Sequence, residues 1–162
     1  EDGSDRISGG KGADTIFGGF GNDTVKLGGQ NDYFYDDSSY DFYGDDDDDF
    51  VFGSGGSDYL QSTSGNDTLV GGKGADFFDF IPTSTEGLLL STAPPSVLTI
   101  RDFEVGKDEI WLIESLMPTG ADAATLASIS EVQGDDLVLT FSTDDQIVVE
   151  GITDGRFILF LS

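Results

Sequence analysis

In the first half of the chain, single apolar residues recur about every nine positions and are separated by polar, glycine-rich stretches. These apolar residues are Ile7, Ile16, Val25, Phe34, Tyr43, Val51, Leu60, Leu69 and Phe78. Each is the middle of a segment of about three residues, which predicts a short strand with one side chain inward and its neighbours outward. Gly, Asp, Asn and Ser fill the intervening positions and favour tight turns. The pattern predicts a coil of alternating strands and turns.

The pattern changes near residue 80. Residues 82–96 form an irregular connector rich in Pro, Ser and Thr. Apolar segments at 97–112, 135–141, 146–152 and 156–162 predict strands, and residues 121–130 predict a short helix. We therefore expect an all-β chain with two parts, a coil over residues 1–80 and a β-rich cap over residues 81–162.

Composition excludes many activities. The chain has 32 acidic and 7 basic residues, a net charge of −25, and neither His nor Cys. Disulfides, thiolate zinc sites and imidazole-based catalysis are therefore excluded. The negative charge disfavours nucleic acids and anionic membrane surfaces, and no apolar run is long enough for a transmembrane segment. Thirteen Phe, five Tyr and one Trp argue against a disordered acidic tail, so we expect folding once cations neutralise the charge.

The acidic residues of the coil are almost all Asp. Residues 1–80 hold 17 of the 25 Asp and 17 of the 23 Gly but only one of the seven Glu. An Asp precedes each recurring apolar residue by two positions, at Asp5, Asp14, Asp23, Asp32, Asp41, Asp49, Asp58, Asp67 and Asp76. If two repeats complete one coil, alternate turns stack about 4.8 Å apart. This predicts one stack of Asp5, Asp23, Asp41, Asp58 and Asp76, and a second of Asp14, Asp32, Asp49 and Asp67.

Stacked carboxylates repel each other unless a hard cation lies between them. Calcium suits such gaps because it accepts about six to eight oxygen ligands at about 2.3–2.6 Å, whereas magnesium requires a stricter octahedron. The two stacks have four and three gaps, which predicts up to seven calcium ions. For any single Asp the alternative is an Asx-turn, and only the repeated spacing favours a metal.

The middle of the coil departs from the repeat. The turns at residues 36–41 and 45–49 lack the expected glycines, and the one eight-residue step falls between them. Either the coil continues there with distorted or empty sites, or the segment bulges out as a loop. We favour a continuous coil with weaker metal occupancy.

The repeats GGKGADTIF (9–17), GGFGNDTVK (18–26) and GGKGADFFD (71–79) share the pattern GGxGxDxUx. In these residues the chain resembles the repeats-in-toxin (RTX) calcium-binding family. The resemblance implies a right-handed parallel β-roll, a calcium-binding nonapeptide solenoid, followed by a C-terminal β-strand cap. It also implies that turn carbonyls complete the calcium shells, at Gly10, Gly12, Gly19, Gly21, Gly72 and Gly74.

Residues 97–112 are similar to the strand pair that follows the roll in serralysin-type C-terminal domains and epimerase repeat modules. The resemblance implies a further calcium ion at Asp102 and Asp108. A β-turn capped by these Asp side chains is the alternative reading.

The resemblance also implies a function. RTX proteins leave the cell through the type I secretion machinery using an uncleaved C-terminal signal, and the apolar ending of this chain looks like one. No N-terminal signal peptide is present, and residue 1 falls inside a repeat, so we expect the C-terminal part of a longer secreted or cell-surface protein. The predicted function is an extracellular module that folds on binding calcium and supports secretion and stability. We expect no enzyme here, since a glycosidase or lyase would need carboxylates that the ladder already uses.

Outward positions of the even-numbered repeats predict an aromatic patch of Phe17, Tyr33, Tyr35, Phe50 and Phe52 on one sheet. An exposed apolar patch of this size normally marks an interface. Either the C-terminal strands cover it, or it contacts another subunit, a neighbouring domain or a glycan. The second case gives an alternative function, a structural subunit of a calcium-dependent surface layer, filament or adhesin.

Overall fold

The fold is taken from a computed structural model that describes residues 2–36, 47–82, 95–112, 116, 123–141, 144–153 and 160–161. The strands of the repeat region are β1 Arg6–Lys11, β2 Thr15–Phe17, β3 Thr24–Gly29, β4 Tyr33–Tyr35, β5 Phe50–Gly55, β6 Tyr59–Ser62, β7 Asn66–Lys73 and β8 Phe77–Phe80. The later elements are β9 Val97–Ile100, β10 Glu109–Leu112, α1 Ala123–Ile129, β11 Ser130–Gln133, β12 Asp136–Thr140, β13 Gln146–Val149 and β14 Phe160–Leu161.

Successive strands alternate between two sheets. The first sheet has the order β1-β3-β5-β7-β9-β13-β12-β11, and the second has the order β14-β10-β8-β6-β4-β2. The strands pair in parallel except for β11 with β12 and β12 with β13. The prediction of an all-β parallel roll is confirmed.

The core lies between the two sheets. The inward residues of the repeat strands are buried, namely Ile16, Val25, Phe34, Val51, Leu60, Leu69 and Phe78. Ile7, in the first strand, is only partly buried, and Tyr43 lies outside the described residues. Burying each such side chain stabilises the fold by roughly 1.5–3 kcal/mol relative to leaving it exposed, so the nine-residue apolar period alone builds a continuous core.

The sheets continue beyond residue 80. Strand β9 pairs with β7 in the first sheet and β10 pairs with β8 in the second, so these two strands extend the roll rather than pair with each other. Helix α1 lies within the segment predicted as helical, and β12 and β13 lie within predicted strands. The domain boundary near residue 80 stays a prediction. Within the described ranges, no helix has the length and apolar character needed to cross a membrane.

Candidate metal centre

Nine aspartates stand where a turn leads into a strand, in two rows along the roll. The first ladder is Asp5, Asp23, Asp49 and Asp67, and the second ladder is Asp14, Asp32, Asp58, Asp76 and Asp108. Within each ladder, the backbone N–H of one aspartate donates to Oδ1 of the next at 2.7–2.9 Å. Each carboxylate after the first in its ladder is therefore held in place by the turn before it in the stack.

The other carboxylate oxygen, Oδ2, is buried without a hydrogen-bond partner in seven of these residues, namely Asp5, Asp14, Asp23, Asp32, Asp49, Asp58 and Asp76. Only the last member of each ladder differs. Oδ2 of Asp67 accepts from the Ser62 hydroxyl at 2.6 Å, and Oδ2 of Asp108 accepts from the Glu104 N–H at 2.7 Å. Burying an unpaired carboxylate oxygen is costly, and these seven oxygens equal in number the seven gaps between ladder members. The described residues therefore fit a row of cations.

Six of the ladder carboxylates lie in surroundings that oppose their charge and raise their pKa. Burial is the main cause that raises the pKa of Asp58 and Asp76, to about 6 in each case, although backbone N–H bonds act in the opposite direction. Burial also raises the pKa of Asp49 and Asp67 to about 8, and the nearby Asp36 carboxylate adds to both shifts. A bound cation favours the charged form and would reverse these shifts.

The six glycines expected to offer carbonyls all have positive φ, between 92° and 146°, at Gly10, Gly12, Gly19, Gly21, Gly72 and Gly74. At some glycines of positive φ, though not at Gly10 or Gly12, a neighbouring turn approaches too closely for a side chain. A Cβ on Gly74 would lie 1.6 Å from the carbonyl oxygen of Gly56, and one on Gly28 would lie 2.2 Å from that of Gly10. Turn carbonyls therefore face the adjacent turn, where a cation between the turns could reach them.

The first glycine of a turn makes space for the unpaired oxygen. A Cβ on Gly53 would lie 2.5 Å from Oδ2 of Asp58, and a Cβ on Gly71 would lie 2.5 Å from Oδ2 of Asp76. Glycine at this position thus keeps the unpaired carboxylate oxygen free of a side-chain contact.

The donor set consists of oxygens alone, which suits calcium. In the part of the chain that the structure describes, no group of three or more acidic side chains could hold a metal by itself. Each ion would therefore combine ladder carboxylates with turn carbonyls. Calcium tolerates such mixed, irregular shells, whereas magnesium demands a regular octahedron.

Comparison with known families agrees with this chemistry. A profile of the RTX calcium-binding nonapeptide repeat matches residues 1–34 and 42–79 in four copies. The chain carries RTX calcium-binding repeats. The break between the two matched ranges covers residues 35–41 and lies between Asp32 and Asp49.

Two solved structures were compared with this chain. The AlgE6R3 subunit of the Azotobacter vinelandii mannuronan C5-epimerase is similar with a TM-score of 0.53 and 21% identity, over 98% of this chain and 79% of that one. The extracellular lipase LipA of Serratia marcescens has a TM-score of 0.44 and 17% identity, over 99% of this chain and 39% of that one. A search of curated protein sequences gave no match. The first likeness supports the β-roll fold.

The RTX repeats change spacing once. Within the repeats, the Asp23 N–H donates to Asp49 and the Asp32 N–H donates to Asp58 across 26 residues, whereas the other four steps span 18. The last step, from Asp76 to Asp108, leads out of the repeats and spans 32. The repeat that begins after Asp32 is thus eight residues longer than the others. The prediction of a continuous roll without an insertion is wrong at this point.

This longer repeat corrects the predicted stacks. Asp41 was expected between Asp23 and Asp58, but Asp23 bonds directly to Asp49, so the first ladder has no place for it. Asp41 itself lies outside the described residues. Because one long repeat replaces two, the later aspartates exchange stacks, and Asp49 joins Asp5 rather than Asp14.

Two aspartates beside the insertion have functions that sequence reasoning missed. Oδ2 of Asp36 accepts from the N–H and the hydroxyl of Thr63, both at 2.7 Å, and Oδ2 of Asp47 accepts from the Gly21 N–H at 2.6 Å. These carboxylates tie the ends of the insertion to neighbouring turns. Neither occupies the aspartate position of the repeat, so the motif gave no signal for them.

Asp102 and Asp108 both contact the roll. The Asp102 carboxylate accepts from the N–H groups of Gly71 and Gly72 at 2.9 and 2.8 Å, so it bonds to the repeat region rather than to its own turn. Asp108 accepts from Asp76 and is the fifth member of the second ladder. Sequence reasoning did not place it there, although Gly106, Asp108 and Ile110 have the GxDxU spacing of the repeat. Calcium binding by this pair stays a prediction.

The predicted aromatic patch is divided between the sheets. Phe17, Tyr33 and Tyr35 belong to the second sheet, whereas Phe50 and Phe52 belong to the first. The prediction of one five-residue patch is therefore wrong, and its cause is the same long repeat that exchanged the stacks.

Proposed function

We propose that this chain is a calcium-dependent folding module of a larger secreted or cell-surface protein. The observation that carries the proposal is the set of seven buried, unpartnered carboxylate oxygens, each beside one gap of the two ladders. RTX repeats bind calcium and are non-catalytic. We extend this to about seven ions in the roll, with the ladder aspartates and the turn carbonyls as ligands.

Folding would then depend on location. With a net charge of −25, the chain resists compaction where calcium is scarce, as in a cytosol. Extracellular calcium modules bind with Kd values of about 10⁻⁴–10⁻³ M, so the ladders would fill outside the cell. Because the site exists only in the folded chain, binding energy becomes folding energy. This supports export of an unfolded chain by type I secretion, followed by folding outside.

Circular dichroism at neutral pH tests the proposal. We expect little β-structure in excess chelator, a cooperative gain on adding calcium at about 10 mM, and little gain with magnesium at the same concentration. Calorimetric titration should give a stoichiometry near seven. A fully folded, cooperatively melting roll in excess chelator would contradict the proposal.

Assembly into a surface layer, filament or adhesin was the alternative function. It was based on one continuous patch of five aromatic side chains. Since those side chains lie on two different sheets, we do not carry this alternative further.

A further inference from the structure

The outward surface of the second sheet carries six aromatic side chains, which we call the aromatic strip: Phe17, Tyr33, Tyr35, Tyr59, Phe77 and Trp111. The rings form contacts along the strip. Ring centroids are 5.2 Å apart for Phe17 and Tyr35, 5.5 Å for Tyr35 and Tyr59, and 5.7 Å for Phe77 and Trp111. Phe17 and Tyr33 are each 49% exposed. These contacts form two groups, which meet where Tyr59 and Phe77 are partners in neighbouring strands. The strip is open to solvent at Phe17 and Tyr33.

A groove of about 380 Å³ opens on this strip. Its aromatic walls are Tyr33, Tyr59, Phe77 and Trp111, and its polar residues are Asn31, Ser57 and the ladder residue Asp58. Pockets of about 300–1,000 Å³ with mostly aromatic walls and a few fixed polar groups are typical of small-ligand sites. The groove therefore has the size and composition of a binding site.

The polar groups of the groove are fixed by the roll. Oδ1 of Asn31 accepts from the Ser57 N–H at 2.9 Å, which leaves the Asn31 amide nitrogen as a donor. The Ser57 hydroxyl oxygen accepts from the Ala75 N–H at 3.1 Å, so its own hydrogen can be donated to a ligand. Donors held beside aromatic rings suit a ligand with many hydroxyl oxygens.

Acceptors lie on the same surface. The Tyr59 hydroxyl donates to the Asp79 carboxylate and accepts from Gln61 Nε2 at 3.5 Å. Beside them, Trp111 Nε1 donates to Glu109 at 3.1 Å. Donors and acceptors together favour a polyhydroxyl ligand over a simple cation, which would require acceptors alone.

The charge of the second sheet further limits which ligands the groove can bind. The strands of the second sheet within the repeats, and β10 after them, contain no Lys or Arg, and their only charged residues are Asp79 and Glu109. An anionic polysaccharide or a nucleic acid would be repelled. A second copy presenting the same face would also meet like charge.

We propose that this groove binds a neutral oligosaccharide. Its C–H faces pack on the rings of Tyr33 and Trp111, and its hydroxyl groups bond to Asn31 and Ser57. The groove spans consecutive turns whose stacking is set by the second ladder, so binding requires the folded roll. If the roll folds only with calcium, binding also requires calcium; this step rests on the proposed function, whereas the groove itself does not.

The single tryptophan provides the assay, because Trp111 lines the groove. The calcium-loaded chain is titrated with cellohexaose, mannohexaose and xylohexaose, and with hexagalacturonate and hexalysine as charged comparators. We expect a saturable change in Trp111 fluorescence with at least one neutral hexasaccharide and none with hexagalacturonate. Tyr33→Ala should weaken binding at least about tenfold, as expected for a central aromatic contact. Phe52→Ala, on the first sheet and 37% exposed in the native chain, should leave it unchanged.

Circular dichroism on the same samples separates the two proposals. A folded chain that responds to no neutral hexasaccharide, or only to hexalysine, overturns the groove assignment. So does equal weakening by Tyr33→Ala and Phe52→Ala, or a dimer in size-exclusion chromatography that Tyr33→Ala dissociates. Saccharide binding by a chain that folds without calcium would support the groove while contradicting calcium-dependent folding.

Discussion

Replacing Asp58 by Asn should change stability in opposite directions with and without calcium. Asp58 is fully buried, its Oδ1 accepts from the Asp32 N–H at 2.9 Å, and its Oδ2 has no partner. Asparagine keeps the accepting oxygen and nearly the same volume, removes the charge, and places an amide NH2 group where the unpaired oxygen was. Without calcium the variant should therefore be more stable, and with calcium it should be less stable.

The surroundings of Asp58 determine the size of both stability changes. Asp58 borders two gaps, towards Asp32 and towards Asp76. An ion with a Kd of about 10⁻⁴ M adds about 2.7 kcal/mol at about 10 mM calcium, so losing one or both ions lowers the free energy of unfolding by roughly 3–5 kcal/mol. Without calcium, burial raises the pKa of Asp58 to about 6. Keeping it charged at pH 7.5 then costs roughly 1–3 kcal/mol, which Asn recovers.

Urea unfolding followed by circular dichroism at pH 7.5 measures the free energy of unfolding in the two arms of the experiment, with calcium and without it. If the chain is unfolded in chelator, the calcium-free arm is measured in trimethylamine N-oxide, which favours compact states. Asp135→Asn is the matched control, because it makes the same charge change at an exposed position outside both ladders. Destabilisation of Asp58→Asn in both arms, or no loss in calcium, would refute the assignment of this carboxylate as a ligand.

Three further predictions concern protonation and turn geometry. In the folded chain the pKa of Asp49 and of Asp67 is raised to about 8, far above the usual pKa of Asp. Without calcium, the free energy of unfolding should therefore be greatest below about pH 4 and fall as the pH rises to 8. Urea unfolding in calcium-stripped buffer measures this dependence, and stability that rises between pH 4 and 8 would contradict the prediction. The stabilisation that calcium adds should increase with pH, because calcium must displace these protons. Ser54 has a φ of 81°, so Ser54→Gly should raise stability in calcium by about 0.5–1 kcal/mol in thermal melts. Gly74→Ala should prevent normal stacking, because its Cβ would lie 1.6 Å from the Gly56 carbonyl oxygen, and an unchanged melting temperature would contradict the turn geometry.

The sequence predicted the roll because its inward residues, glycines and aspartates each recur at fixed positions. Val25, Phe34 and Leu60 are buried as their spacing required, and Gly10 and Gly74 have the backbone conformation that their positions demanded. These features depend only on local spacing within one repeat. Local spacing was therefore enough to predict most of the fold and the identities of the ladder residues.

The stacking partners could not be predicted in the same way. Residues 36–49 contain eight aspartates, so an alignment frame finds an Asp at almost any position, and Asp41 satisfied the spacing by coincidence. Whether that segment contributes a coil is decided by contacts between distant turns, such as Asp23 with Asp49. The composition of the outer faces depends on the same contacts, which is why the groove beside Trp111 was not foreseen.

The ladders also have a direction. Unpaired oxygens begin at the N-terminal end with Asp5 and Asp14, and each ladder finishes at a carboxylate, Asp67 or Asp108, whose oxygens both have hydrogen-bond partners. In a linear array whose repeats contact only their neighbours, order can start at any repeat and the terminal units act as caps. Asp67 and Asp108 cap their ladders with hydrogen bonds alone, whereas the N-terminal ends keep unpaired oxygens at Asp5 and Asp14. Removing N-terminal repeats would shorten the array by one unit at a time, whereas removing the segment around Asp108 would remove the cap of the second ladder.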